Sequence, residues 1–133
     1  MHYRIAGPED LKACSDIVTK CRYYGDIDFA KMGGLVLLAE DDDGIQGCVW
    51  AIGGGEYAIA DFLAVSEKYF NSGLGVRLVL RGLRVLERMG IRRVQSHVYI
   101  GNEVAMRMNR RLASEASKDY AVFSYHLGDT NGN

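Results

Sequence analysis

The run Leu63-Ala64-Val65-Ser66-Glu67-Lys68-Tyr69-Phe70-Asn71-Ser72-Gly73-Leu74-Gly75-Val76 carries more structural information than any other part of this 133-residue chain. An apolar segment starting at Tyr57 ends at Val65, a charged turn follows, and two glycines one residue apart open a long periodic stretch. That order predicts a strand, a tight loop and the start of a helix. Glycine lacks the Cβ that keeps a backbone at a distance. The first N–H groups of a helix have no intrahelical acceptor, and the helix dipole favours negative charge there. Such a junction is a cradle for a phosphate or pyrophosphate.

Charge is distributed to match. Residues 1–66 carry five Lys and Arg against eleven Asp and Glu, and residues 67–133 carry eleven against six. The basic half begins just before the glycine pair, where a positive field would attract an anion. Two differently solvated faces would give the same counts. The composition, 48% apolar and 25% charged, is that of an ordinary globular chain, and one domain over 1–133 is expected. Three cysteines form no even disulfide framework, no apolar leader follows Met1, and no run is long enough to span a membrane. The expected location is therefore cytoplasmic.

Outward from the glycine loop, the pattern predicts the remaining elements. Tyr3–Ala6 reads as a strand, and Pro8 opens a helix whose buried face is Leu11, Cys14, Ile17, Val18 and Cys21. Tyr23–Lys31 is irregular or briefly helical. Gly34–Ala39 and Ile45–Ile52 are strands joined by Asp41-Asp42-Asp43-Gly44, a solvated turn without the alternating spacing of a calcium loop. Gly53-Gly54-Gly55 reads as a turn before the strand Tyr57–Val65. The helix from Gly73 to Met89 is expected to bury Val76, Val79, Leu80, Leu83 and Leu86 and to expose Arg77, Arg81, Arg84 and Arg88. Arg93–Ile100 is a strand, Asn102–Leu112 a short helix with Asn102 as N-cap, Tyr120–Leu127 a last strand, and residues 128–133 a frayed tail. The expected fold class is α/β in the α+β sense, with a mixed, mostly antiparallel central sheet flanked by helices.

This order, with these residues, resembles the GNAT superfamily of N-acetyltransferases over Tyr3 to about Leu127. The resemblance is carried by Arg4-Ile5-Ala6 with Pro8-Glu9-Asp10, Val36-Leu37-Leu38-Ala39-Glu40 with the Asp-Gly hairpin and Ile45-Gln46-Gly47, Phe62-Leu63-Ala64-Val65, Phe70–Gly75, and Asn102, Ala105 and Leu112. It implies the acyl-coenzyme A N-acyltransferase fold and an acetyl group moved from acetyl-coenzyme A to a primary amine, with no metal. By this resemblance the backbone of Leu63, Ala64 and Val65 would pair with the pantetheine arm, and Val65 N–H would receive the thioester carbonyl. Phe70, Asn71, Ser72, Gly73, Leu74, Gly75 and Val76 would hold the pyrophosphate. Asn102 would touch the cofactor or merely cap the last helix. Three positions depart from the pattern: Phe70 replaces a polar residue, Asn109 replaces the tyrosine acid, and Ala113-Ser114 replaces a Gly-Phe pair.

Acetyl transfer needs a base for the amine, donors for the carbonyl oxygen and an acid for the thiolate. Asp61, in an apolar strand and of the same parity as Ile59, Leu63 and Val65, is the first candidate base, or else an ion-paired or solvated residue. Glu56, at the strand's start, is the second, or a turn-edge residue. His97 and Tyr99 share a face with Gln95. If it lines the site, they are a candidate base and acid; otherwise they pack or face solvent. Tyr23 and Tyr24 would shape the acceptor pocket or cover the core, and His126 is read as structural. The acceptor is a small-molecule or peptide amine, the acidic first half favouring a cationic one. An edge strand near the chain end leaves room for a homodimer. Two alternatives stand: a non-catalytic coenzyme-binding or assembly module of the same fold, and a nucleic-acid binder using the Arg77/Arg81/Arg84/Arg88 stripe, against which a solvated face is favoured.

Overall fold

The structure, a computed structural model, describes residues 1–21, 23–99, 101–113, 115–116 and 121–126. Strands are β1 (His2–Ile5), β2 (Leu35–Asp41), β3 (Gly44–Gly54), β4 (Tyr57–Val65), β5 (Arg93–Val98), β6 (Glu115–Ala116) and β7 (Ala121–His126). Helices are α1 (Leu11–Thr19), α2 (Phe29–Met32), α3 (Leu74–Arg88) and α4 (Glu103–Leu112), with 3₁₀ turns at Pro8–Asp10 and Glu67–Tyr69. The sheet order is β1-β2-β3-β4-β5-β7-β6, and among the described residues only β4–β5 is parallel. The expected mixed, mostly antiparallel sheet is present.

Alternation along β2 sorts the core. Val36 and Leu38 pack with Cys14 and Val18 of α1 and Phe29 of α2, while Leu37 and Ala39 pack with Leu74 and Leu78 of α3. The α1 end is tied down by Arg4, which bridges Asp10 at 2.7 Å and Glu40 at 2.9 Å. Cys14 and Cys48 are buried free thiols, as core packing predicts. Cys21 lies past the end of α1, which stops at Thr19 rather than continuing through it.

Two further expectations are corrected. Gly53 and Gly54 belong to β3, opposite Ala58 and Tyr57, and the turn is Gly55-Glu56. A Cβ on Gly53 would lie 2.4 Å from the Tyr57 carbonyl, so glycine there permits strand contact rather than a bend. The buried residues of α3 are Leu74, Leu78 and Leu86, with half-buried Gly82 completing the row at a spacing of four; Val76 and Leu80 are 38% and 45% exposed. Gly82, whose Cβ would meet Val49 and Leu37, hides this row from an apolar count. Each leucine driven fully into the core contributes about 1.5–3 kcal/mol, which decides the helix's rotation. Arg77, Arg81, Arg84 and Arg88 are all exposed, as expected, though two of them also make contacts. Arg77 donates to Tyr3 Oη at 3.3 Å, and the Arg81 guanidinium lies 4.1 Å from the Tyr3 ring centre. β6 has no counterpart among the expected elements, and the 128–133 tail lies outside the described residues.

Candidate active site

β4 and β5 pair only over Tyr57↔Arg93, Ala58↔Val94 and Ile59↔Gln95; beyond this they part, while β5 stays paired to β7 up to Val98. The parting coincides with a β-bulge. Trp50 faces Asp61 and Cys48 faces Ala64, so β4 has one residue more than β3 between these pairs. Phe62 takes up the extra residue with φ +60°, a conformation rare for an aromatic residue. Its ring is held by Tyr24, Phe29 and Trp50, at centroid distances of 5.5, 6.3 and 5.4 Å. That packing sustains a backbone strain of about 1–3 kcal/mol. The bulge overturns the parity argument for Asp61. Asp61 and Phe62 both lie on the α1 side of the sheet with Trp50, while Leu63 and Val65 pack on the α3 side.

A cavity of about 590 Å³ runs through this opening. On the α3 side it is bounded by Leu63, Val65, Gly73, Gly75, Val76 and Val79, and by Asn102, Ala105, Met108 and Asn109 of α4. Ser66 donates its N–H to the Gln46 carbonyl at 2.7 Å, so by alternation Val65 turns its N–H away from β3, toward the parting. Asn71 (φ +60°) and Gly73 (φ +83°) both use the left-handed region to turn the chain into α3. Leu74 N–H is taken by Ser72 Oγ at 3.2 Å. The N–H groups of Gly75 and Val76 fall in the first turn, ahead of the first helical bond from Arg77 to Gly73. A Cβ on Gly75 would meet only Leu63, at an ordinary 3.6 Å. Nothing among the described residues requires glycine there; a group approaching from the cavity would.

This loop is anchored from behind. Tyr69 donates its hydroxyl to Asp41, and Lys68 reaches Asp41 and Asp43 at 3.1 and 2.9 Å. The Tyr69 hydroxyl, with Lys68 and Gln46, holds the Asp41 carboxyl well below the usual carboxylate range. The three aspartates thus form a turn, as expected, but one that ties the β2–β3 hairpin to the loop. Sequence reasoning missed Tyr69 and Asp41 because their pairing crosses 28 positions. It also missed Arg77 as a loop residue: its guanidinium folds back to the Ser72 carbonyl at 3.4 Å, putting a cation where Phe70 supplies none. The only available signal was its place one turn after Gly73. Phe70 itself is 60% exposed and does not line the cavity.

On the α1 side, Asp61 reaches across the parting to β5. Its Oδ1 accepts the His97 N–H at 2.7 Å, its Oδ2 lies 3.1 Å from His97 Nδ1, and Ser96 Oγ is 3.5 Å from Oδ1. Burial pushes the Asp61 carboxyl up, against the lowering effect of these His97 contacts. Tyr24 donates its hydroxyl to the Leu63 carbonyl at 3.3 Å, and burial raises its phenol. Tyr23 donates to the Gly101 carbonyl at 3.3 Å and its ring meets that of Tyr99 at 5.7 Å. His97 thus meets Asp61, whereas Tyr99, past the end of β5, is 66% exposed and does not line the cavity, against its reading as the acid. Glu56 lies in the turn at the opposite end of β4, its carbonyl accepting from Arg92 and Arg93, and does not line the cavity.

α4 carries the remaining candidates. Asn102 Oδ1 accepts the Ala105 N–H at 3.2 Å, a helix cap, while also lining the cavity. Asn109 is buried, and its amide donates to the Ala105 carbonyl at 2.8 Å. Of the third departure only Ala113 is described; Ser114 lies outside the described residues, and β7 gives His126 only a backbone position opposite Arg93. Among the described residues no group of three or more His, Cys, Asp or Glu is arranged to hold a metal ion, and no helix is long and apolar enough to cross a membrane.

A family model described as acetyltransferase (GNAT) family matches residues 6–113. No curated protein matches the chain by sequence. Among solved structures, the ribosomal-protein-S18-alanine N-acetyltransferase of Escherichia coli superposes with a TM-score of 0.79 at 17% identity, over 99% of this chain and 98% of that one. YhbS, a GNAT family N-acetyltransferase from Escherichia coli in complex with CoA, gives 0.74 at 22%, over 96% and 82%. The yncA protein of Salmonella typhimurium, with acetyl-CoA, gives 0.75 at 16%, over 97% and 95%. At these identities the superpositions establish the shared fold.

Proposed function

This chain belongs to the GNAT family of acetyltransferases, and on that premise we propose that it moves an acetyl group from acetyl-coenzyme A to the primary amine of a small molecule or peptide. The observation that carries this reading is the parting of β4 from β5, with the glycine loop on one side and the Asp61–His97 pair on the other. The pyrophosphate would lie against the first turn of α3, where Gly75 leaves room and backbone N–H groups offer positive charge. The pantetheine arm would extend β4 beside Leu63, Ala64 and Val65, with Val65 N–H as donor to the thioester oxygen. Bound this way, the coenzyme supplies an activated acyl carbon.

The amine would arrive from the α1 side, past Tyr23 and Tyr24. Its nitrogen attacks the thioester carbon, a C–N bond forms, the C–S bond breaks with its electron pair leaving on sulfur, and the surplus proton on nitrogen ends on sulfur as the thiol. Asp61 and His97 are the groups nearest to hand for that proton. Asn109 favours a second reading. Its amide is turned onto its own helix and offers no acid from α4, which suits a coenzyme-binding module without turnover. The nucleic-acid reading loses support, since Arg77 and Arg81 are packed on Tyr3.

Titration calorimetry with coenzyme A, then acetyl transfer to a panel of amines and lysine peptides, tests the proposal. We expect micromolar binding and turnover of at least one acceptor. No binding at millimolar coenzyme would sink both readings, and binding with no turnover on any acceptor would leave the module.

A further inference from the structure

We propose that Asp61 and His97 work as a unit, His97 Nε2 taking the proton of the attacking amine while Asp61 positions the ring. This rests on the acetyl-transfer reading and assigns roles within that site. The geometry separates the two residues. Both side chains line the cavity, but that of Asp61 is 14% exposed and that of His97 36%, so the carboxylate is the more shielded member and the imidazole the more open one. Oδ1 is fixed by the His97 N–H at 2.7 Å, which aims Oδ2 at Nδ1, 3.1 Å away. An ionised carboxylate only accepts, so the ring proton must sit on Nδ1, and Nε2 becomes the basic nitrogen. A residue bound to backbone and ring of the same histidine sets both its tautomer and its orientation.

The bulge makes this possible. Without the extra residue at Phe62, Asp61 would keep the parity of Leu63 and Val65. With it, Asp61 stands on the α1 face and bridges to β5 just where β4 has stopped pairing with it. The raised Asp61 carboxyl fits the role: a carboxylate short of solvent gains from a cation beside it, so it stabilises the imidazolium formed when Nε2 is protonated. Other titratable groups face the cavity that holds the pair. Lys20, Cys21, Tyr23 and Tyr24 from the end of α1 and the loop after it, and Arg111 on α4, line the same cavity, while Tyr99, after β5, packs on Tyr23 outside it. α3 brings only apolar residues and glycines to this cavity. During transfer the amine proton passes to Nε2 as the C–N bond forms, and from Nε2 to the thiolate sulfur as the C–S bond breaks, so the pair ends as it began.

The test combines nitrogen NMR of the His97 ring with rates against pH for Asp61→Asn, His97→Gln and His97→Gly. With its ring neutral, wild-type His97 should carry its proton on Nδ1. In Asp61→Asn the amide donates to Nδ1, and the proton should move to Nε2. His97→Gln should lower kcat about 10²–10⁴-fold with the coenzyme A dissociation constant unchanged, which also reports that the variant is folded. Added imidazole should restore part of the rate of His97→Gly. A wild-type Nε2–H tautomer overturns the proposal whether or not turnover is found. So does a His97→Gln variant that keeps the wild-type kcat and pH profile, which would make Asp61 the base by itself. Absence of turnover in wild type with the Nδ1–H tautomer present counts against acetyl transfer and leaves the pairing standing.

Discussion

The two sides of the cavity are built by different means. On the α3 side, Tyr69 to Val76 is a continuous piece of chain whose backbone N–H groups, turns and missing side chains make the site. On the α1 side, Tyr24, Asp61 and His97 come from a loop and two strands, and the site is made by side chains that bond one another and the backbone of a neighbouring strand. A backbone site tolerates change in most of its side chains but not a new Cβ in its path. A side-chain site is lost when any one member, or the strand geometry that aims it, is altered.

Replacing Phe62 by Ala attacks the aim of the side-chain site without touching its chemistry. The ring's contacts with Tyr24, Phe29 and Trp50 hold the bulge, and their loss should destabilise the chain by about 3 kcal/mol in urea unfolding. A cost below about 1 kcal/mol would mean that the bulge is held by something else. Gly75→Leu tests the backbone site in the opposite sense. Its Cβ fits the fold, so stability should hold, while coenzyme A affinity should fall on the order of 100-fold, about 2.7 kcal/mol. Unchanged affinity would remove the α3 start from the site. Asn102→Ala asks to which side that residue belongs. As a cap it should cost about 1 kcal/mol of stability and leave coenzyme affinity nearly unchanged in calorimetry; a large loss of affinity would make it a coenzyme contact.

The smallest effect is expected from the anchor behind the loop. Asp41 is held below its ordinary range, chiefly by the Tyr69 hydroxyl, so its contribution is present above the usual carboxylate range and is lost as pH falls beneath it. Coenzyme affinity should therefore decline more steeply with acid, below about pH 4, in wild type than in Asp41→Asn. Parallel curves for the two would show that the hairpin does not support the loop.

Much of the architecture was legible in order and periodicity. The strand–loop–helix junction, the Asp-Gly hairpin and the Asn102 cap are local signals, and each falls where it was read. The rotation of α3 was misread because Leu74, Leu78, Gly82 and Leu86 form a row broken by a glycine, which a count of apolar side chains passes over. Tyr23 and Tyr24 line the cavity on its α1 side, and neither their partners nor their distances had any local trace.

By itself the chain's order of residues determined the elements, the family fold and the loop at Gly73–Gly75, because backbone conformation over a few residues depends on those residues. It left open which face of β4 Asp61 would occupy. Strand alternation assigns faces only while the pairing register is unbroken, and the register breaks at Phe62. That break is held by rings from α2, β3 and the loop after α1. The meeting of Asp61 with His97, 36 positions away, was therefore a decision of tertiary packing.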